Sequence, residues 1–193
     1  ASCTTNGISP VIKVINDAIG IEQGHIESVH AYTSAQNLLD NFHKKPRRGR
    51  AAAVNMVITS TGAAKAVGLV LPEIAGLLTG NAVRVPTPNV SLAILSLRLK
   101  KETTKEGVNE LLKEASLYGD LVEQIKYSTS NDFVSSDAVG TTHPSVFDAP
   151  STIVSEDGKT ATLYVWYDNE YGYTCQVVRL AKYAAKVRRP KIH

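Results

Sequence analysis

Residues 151–167 read STIVSEDGKTATLYVWY. Alternation over Ser151 to Ser155 and again over Ala161 to Tyr167 predicts two strands. Glu156-Asp157-Gly158-Lys159 between them is a hairpin turn, because Asp-Gly supplies the positive φ that a tight, correctly twisted connection needs. A hairpin can only join antiparallel strands. Working outward, further strands are predicted at Phe133 to Asp137, Ser145 to Asp148, Ser91 to Lys100, Asn81 to Pro86 and residues 24–33. A helix fits Thr104 to Tyr118, capped by Thr103 or Thr104, and a closing helix runs from about 169 to 186. Another starts at Ala63 with Thr61 as its N-cap and extends toward Leu78, with Pro72 ending or kinking it. Strands in runs, with hairpin signals and no regular βα repeat, indicate an α+β domain built on a mostly antiparallel mixed sheet.

The 193 residues are 43% hydrophobic and 20% charged, which suits one globular domain with a substantial core. No apolar run approaches the roughly 20 residues of a membrane span, and no signal peptide is visible, so a cytoplasmic protein without membrane contact is expected. Cys3 and Cys175 stand far apart without metal-ligand spacing, so free thiols are expected and no metal site. Cys175, inside the closing helix, reads as a buried structural thiol. The net charge of +3 is concentrated in His43 to Arg50 and in Lys186 to Lys191. These clusters lack aromatic interleaving, and nucleic acid is not the expected partner.

At the other end of the chain, Ile8, Val11, Ile12, Ile15 and Ile19 recur at three- and four-residue steps. They predict an amphipathic helix that stops near Gly20, with Cys3 just before its first turn. Free N–H groups and the positive end of a helix dipole favour a thiolate there. His30 falls near the end of the first strand, and Ser34 to Arg50 is a long, basic segment that reads as functional. No G-x-G-x-x-G follows a strand, so no dinucleotide fingerprint is present. The apolar residues Val177, Val178, Leu180, Ala181 and Ala184 of the closing helix are expected to be exposed or paired with another chain.

The stretches 1–6 (ASCTTN), 29–33 (VHAYT), 47–52 (RRGRAA), 61–67 (TGAAKAV), 84–90 (RVPTPNV) and 166–170 (WYDNE) occur together in this order. In this the chain resembles the catalytic domain of phosphorylating glyceraldehyde-3-phosphate dehydrogenases over essentially its whole length. The resemblance implies a sheet with helices packed on one face, residues 1–193 as the catalytic domain, and a Rossmann NAD-binding domain upstream of this chain. It implies that Cys3 attacks the aldehyde of glyceraldehyde 3-phosphate, and that hydride passes to NAD or NADP to leave a thioester. Inorganic phosphate then releases the acyl group as 1,3-bisphosphoglycerate, the glycolytic reaction. By the same resemblance His30 pairs with Cys3 and serves as general base. Thr33 and Arg84 hold the substrate phosphate, with Arg48 or Arg50 nearby. Ser2, Thr4, Thr61 and Gly62 match the inorganic phosphate site, while Asn169, with Tyr173 beside it, faces the nicotinamide. Residues 34–50 match the S-loop, which lines a neighbouring subunit's cofactor site in a homotetramer.

The chain departs from that pattern at Gly7, where many relatives carry a second cysteine, and at Ala35, where aspartate is common. Tyr171 replaces a usual tryptophan, and Asn41-Phe42 replaces the Leu-Pro usual in NAD-specific members, which leaves NAD and NADP both open. Two alternatives accompany the main reading: an erythrose-4-phosphate dehydrogenase, which hydrolyses the acyl-enzyme, and a non-catalytic interaction or RNA-binding module. Taken by itself, the chain is expected to be inactive, since the dinucleotide would be held mainly by the upstream domain.

Overall fold

A computed structural model describes residues 2–187. The basic tail from Arg188 to His193, and Ala1 of the thiol motif, lie outside the described residues. Four helices of at least eight residues are present among them: α1 (Cys3–Ala18), α2 (Ala63–Val70), α3 (Lys105–Leu117) and α4 (Tyr171–Ala184). The strands are β1 (Ile21–Ala31), β2 (Val57–Ser60), β3 (Leu78–Val85), β4 (Ser91–Leu99), β5 (Ile125–Ser128), β6 (Ser145–Asp148), β7 (Ile153–Val154) and β8 (Thr160–Tyr167).

They form one sheet in the order β2-β3-β1-β4-β8-β6-β5, with β7 paired to β8. The β1/β3 and β5/β6 pairs are parallel, and the others are antiparallel, so the domain is α+β with a mixed, mostly antiparallel sheet. Alternation decides which face is covered. In β8, Ala161, Leu163, Val165 and Tyr167 are buried while the residues between them are half-exposed. The buried set meets Ile8, Val11, Ile12 and Ile15 of α1, each with no exposed surface, together with Val67 of α2 and Val108 and Leu112 of α3. Burial of this kind contributes about 1.5–3 kcal/mol for each large aliphatic side chain.

Several boundaries differ from the sequence reading. Phe133 to Asp137 is not a strand: Asp137 accepts the Val134 N–H and closes a 3-10 turn over Ser135–Ala138. The edge position belongs instead to Ile125–Ser128, a run of four residues too short to give a periodic signal. α2 ends at Val70, because Pro72 opens a 3-10 turn and Leu78 already belongs to β3. Its N-cap is Gly62, although Thr61 Oγ1 still accepts the Ala63 N–H at 3.2 Å. β1 begins and ends earlier than residues 24–33, and only Ile153–Val154 of the first hairpin arm pairs. The hairpin turn itself forms, with Gly158 at φ 68° and its Cα packed on the Thr103 backbone. Thr104 caps α3 by accepting the Gly107 N–H. α4 is shorter than 169–186, and Tyr183 and Leu180 stand 81% and 67% exposed on it. Cys175 is half-buried rather than buried, in a groove it shares with His143 and Tyr183.

Candidate active site

Strand register assembles one end of the sheet. The parallel β1/β3 pair sets His30 opposite Arg84, and the antiparallel β4/β8 pair sets Ser91 opposite Tyr167. The N-terminus of α1 lies over this same end, because its second residue is tied to β8: Thr4 Oγ1 and Tyr167 OH are 2.9 Å apart. Gly7 makes that approach possible, since a Cβ there would lie 3.0 Å from the Tyr167 ring. Ser145 also donates to the Gly7 carbonyl.

Ser2 caps α1, its Oγ accepting the Thr5 N–H at 3.1 Å, so Cys3 is the first helical residue and not a residue ahead of it. Cys3 Sγ lies 3.5 Å from His30 Nε2. On the opposite edge of the ring, Nδ1 is 2.7 Å from the Ala31 carbonyl and 2.8 Å from Arg84 Nη1. Arg84 Nη1 donates to that same carbonyl at 3.0 Å and reaches Thr33 Oγ1 at 3.5 Å. Its Nε is buried without a hydrogen-bond partner, which is costly for a guanidinium and suits an anion accepting from it. Arg48 adds positive charge close to Arg84 while donating to Thr59 Oγ1 at 3.0 Å.

The electrostatics run against the helix-terminus expectation for the thiol. Burial pushes the Cys3 pKa up, and this outweighs the hydrogen bonds with Thr4 and the Arg84 charge, which both pull it down. Burial, and then the Arg84 charge, hold His30 down to about 4. Thiol and imidazole are therefore both neutral near pH 7. An acid-stability test follows. Below pH 6.5 the unfolded chain takes up a proton that folded His30 refuses. His30 therefore adds a component of stability that is fully present above pH 6.5 and is lost as pH falls toward 4, with a slope of up to about 1.4 kcal/mol per pH unit. Urea unfolding at steps between pH 7 and pH 4 is expected to show this slope and to lose it in His30→Asn. An unchanged slope would refute the assignment.

The other sequence-derived candidates divide. Ser2, Cys3, Thr4, His30, Thr33 and Arg84 come together at this end of the sheet. Thr61 and Gly62 stay at the start of α2, where no hydrogen bond among the described residues links them to the Cys3 group. A Cβ at Gly62 would meet open space, so nothing within the chain requires glycine there. Asn169 joins from the end of β8: it is 8% exposed, and its Oδ1 accepts from Ser91 Oγ at 2.8 Å. Tyr173, in the first turn of α4, makes no side-chain hydrogen bond to Asn169 among the described residues. The turn between them is held by Asp168, whose carboxylate accepts the N–H groups of Glu170, Tyr171 and Gly140. Residues 34–50 form an irregular arm with a 3-10 turn at Pro46–Gly49, pinned by the Arg50–Asp40 pair at 3.2 Å and exposing Phe42 at its tip.

Sequence reasoning assigned no role to Tyr167, Ser28 or Ser91. The Tyr167 phenol is wholly buried, 2.8 Å from Ser28 Oγ and edge-on to His30 at 6.0 Å between ring centres. Burial pushes its pKa up to about 12, so it serves as a neutral hydrogen-bonding group. Alternation along β8 places it on the core face, but nothing local shows that it meets residues 4 and 28. Among the described residues, no group of three His, Cys, Asp or Glu side chains could hold a metal, and no helix is long and apolar enough to cross a membrane.

The Cys3 thiol at the start of α1 and the His30 imidazole near the end of β1 thus meet beside a half-buried arginine at one end of a helix-covered sheet. The chain belongs to the glyceraldehyde 3-phosphate dehydrogenase family as its C-terminal domain, whose profile matches residues 2–169. It is 56% identical over 190 residues to a glyceraldehyde-3-phosphate dehydrogenase-like protein of Pseudomonas aeruginosa, covering 98% of this chain and 41% of that protein. It is 53% identical over 186 residues to glyceraldehyde-3-phosphate dehydrogenase 1 of Bacillus subtilis, covering 96% of this chain and 55% of that protein. With the Borreliella burgdorferi glyceraldehyde-3-phosphate dehydrogenase the identity is 49% over 187 residues, covering 96% and 55%. The chain thus spans about half the length of the curated relatives it matches.

Proposed function

We propose that this chain is the catalytic domain of a phosphorylating glyceraldehyde-3-phosphate dehydrogenase working with a nucleotide-binding domain in the same protein. The 3.5 Å contact between Cys3 Sγ and His30 Nε2, made across 27 positions of sequence, carries the reading. The half-buried Arg84 side chain, with its buried Nε unpaired and with Thr33 beside it, fits the phosphate of the substrate. Asn169 turns its Nδ2 away from Ser91, with one long contact to Glu170, and this donor fits a ring carboxamide, so the residues present suit a nicotinamide dinucleotide. When bound, that cofactor supplies the hydride acceptor.

Cys3 gives its proton to His30 and attacks the aldehyde carbon, and the imidazolium returns that proton to the carbonyl oxygen, giving a hemithioacetal and a neutral His30. His30 Nε2 takes the hydroxyl proton of that adduct as the carbonyl re-forms and hydride departs, leaving a thioester on Cys3. Inorganic phosphate attacks the thioester carbon, and the thiolate leaves as the acyl phosphate forms. In this reading Ser2 and Thr4, the chain neighbours of Cys3, serve the incoming phosphate together with Thr61 and Gly62. The anion on Arg84 has a second effect: it offsets the charge that depresses His30 and so favours transfer of the first proton. The S-loop arm at 34–50 lines a neighbouring subunit's cofactor site in a homotetramer, which accounts for its exposed Phe42 and its cations.

The test measures NADH and NADPH formation from glyceraldehyde 3-phosphate by the protein that joins this chain to its nucleotide-binding domain. A strong requirement for inorganic phosphate is expected, and no turnover by the 193-residue chain alone. Equal rates without phosphate, with erythrose 4-phosphate preferred, would instead establish the hydrolytic relative. Salt-sensitive nanomolar RNA binding without turnover would establish an interaction module.

A further inference from the structure

Ser91 stands at the first position of β4 with 1% of its surface exposed. Its hydroxyl has two firm partners. It accepts the Ala31 N–H at 3.1 Å and donates to Asn169 Oδ1 at 2.8 Å. Ala31 is the residue whose carbonyl holds both His30 Nδ1 and Arg84 Nη1. One buried oxygen therefore ties the strand that carries His30 to the side chain of Asn169.

Donor and acceptor roles at both ends of the Asn169 amide turn Oδ1 toward Ser91. The serine has one proton to give, and Oδ1 receives it. The opposite end, Nδ2, keeps only a long contact of 3.5 Å to Glu170 Oε1. A flipped amide would turn Oδ1 toward that carboxylate, setting two acceptors against each other. The backbone just before Ser91 is also constrained. Val90 is buried and held at φ 68°, a conformation that a β-branched residue adopts only under constraint. Its N–H is tied to Asn89 Oδ1 at 2.8 Å. Strain of this kind persists where surrounding contacts over-determine the backbone, and here its consequence is the direction in which Ser91 points.

We propose that Ser91 is a positioning residue that locks the Asn169 amide with its NH2 end turned away from β4, so that the site receives a ring carboxamide through its carbonyl oxygen. The ligand side of this inference rests on the dehydrogenase reading above; the lock itself rests on the chain alone. A donor held in one orientation costs the ligand no rotamer search, and it discriminates against a ring substituent that offers only N–H groups at that point.

Two experiments separate the lock from the dehydrogenase reading. In the 15N-labelled 193-residue chain, the Asn169 Hδ2 protons are expected to show nuclear Overhauser contacts to the Glu170 side chain. Stronger contacts to the Ser91 β-protons would overturn the orientation. In Ser91→Ala, hydrogen exchange at the Ala31 amide is expected to rise about tenfold or more while the Ile12 and Leu95 amides stay protected. Unchanged Ala31 exchange together with unchanged Asn169 signals would overturn the lock. In the protein joined to its nucleotide-binding domain, calorimetric NAD affinity is expected to fall about tenfold in Ser91→Ala. It should fall no further in Ser91→Ala/Asn169→Ala than in Asn169→Ala alone. Additive losses would mean that Ser91 acts through general stability and not through Asn169. If the unaltered protein binds no NAD, the dehydrogenase reading fails, and the amide orientation in the isolated chain still decides the role of Ser91.

Discussion

Cys3→Ser is expected to lower kcat/KM for phosphorylating oxidation of glyceraldehyde 3-phosphate by roughly 10⁴-fold or more, with no trapped acyl-enzyme by mass spectrometry. The size of the effect comes from the environment. Cys3 is buried enough for its thiol to be pushed above the ordinary range, and its base is a neutral imidazole that burial and Arg84 disfavour charging. A thiol can still give its proton under those conditions, because its pKa lies within reach of a histidine once an anion sits on Arg84. A serine hydroxyl is far weaker as an acid, and the alkoxide would make a poor leaving group from the acyl-enzyme. The same environment can be read in this chain without cofactor: the alkylation rate of Cys3, followed by peptide mass spectrometry, is expected to keep rising with pH beyond the ordinary thiol range. Turnover of the serine variant within tenfold of the parent would remove Cys3 from the mechanism.

Arg84→Leu carries the second large expectation, a fall of about 10²–10³ in kcat/KM for glyceraldehyde 3-phosphate, from loss of a partly desolvated charge-assisted contact. Unphosphorylated glyceraldehyde provides the control, since it lacks the anion and should lose much less. A second readout works in the opposite direction. The guanidinium stands 2.8 Å from His30 Nδ1 and depresses that ring by its charge, so its removal should raise the His30 pKa. An NMR titration of the His30 ring in this chain measures that shift directly. A lowered or unchanged His30 pKa would show that Arg84 does not act on the ring, and equal losses for both aldehydes would show that it does not serve the phosphate.

The register explains why these residues act as a group. His30 and Arg84 are 54 positions apart in sequence but adjacent across the parallel β1/β3 pair. Ser91 and Tyr167 are opposite each other across β4/β8. Parallel pairing was not legible in the sequence, because the crossover between β1 and β3 contains the irregular arm, β2 and α2, and the alternation of each strand is the same whichever neighbour it takes. For the same reason the hairpin at Gly158 was legible: its turn chemistry and both flanking patterns lie within 17 residues of one another.

By itself the sequence determined the α+β class, the amphipathic α1 that buries Ile8, Val11, Ile12 and Ile15, the Thr104 cap and the family to which the chain belongs. These are local or composition-level facts, carried by periodicity, by turn and cap residues, and by ordered motifs. Tertiary structure alone decided that Ser135–Ala138 is a turn and Ile125–Ser128 a strand, since four-residue segments take their conformation from the neighbour they pair with. It also decided the protonation of the site. The helix N-terminus argued for a thiolate at Cys3, but the desolvation that opposes it depends on how closely β1, β3 and β8 close around the sulfur. That enclosure comes from His30 at 3.5 Å and from the core cluster against which Cys3 packs, and a dielectric environment of that kind has no signature along the chain.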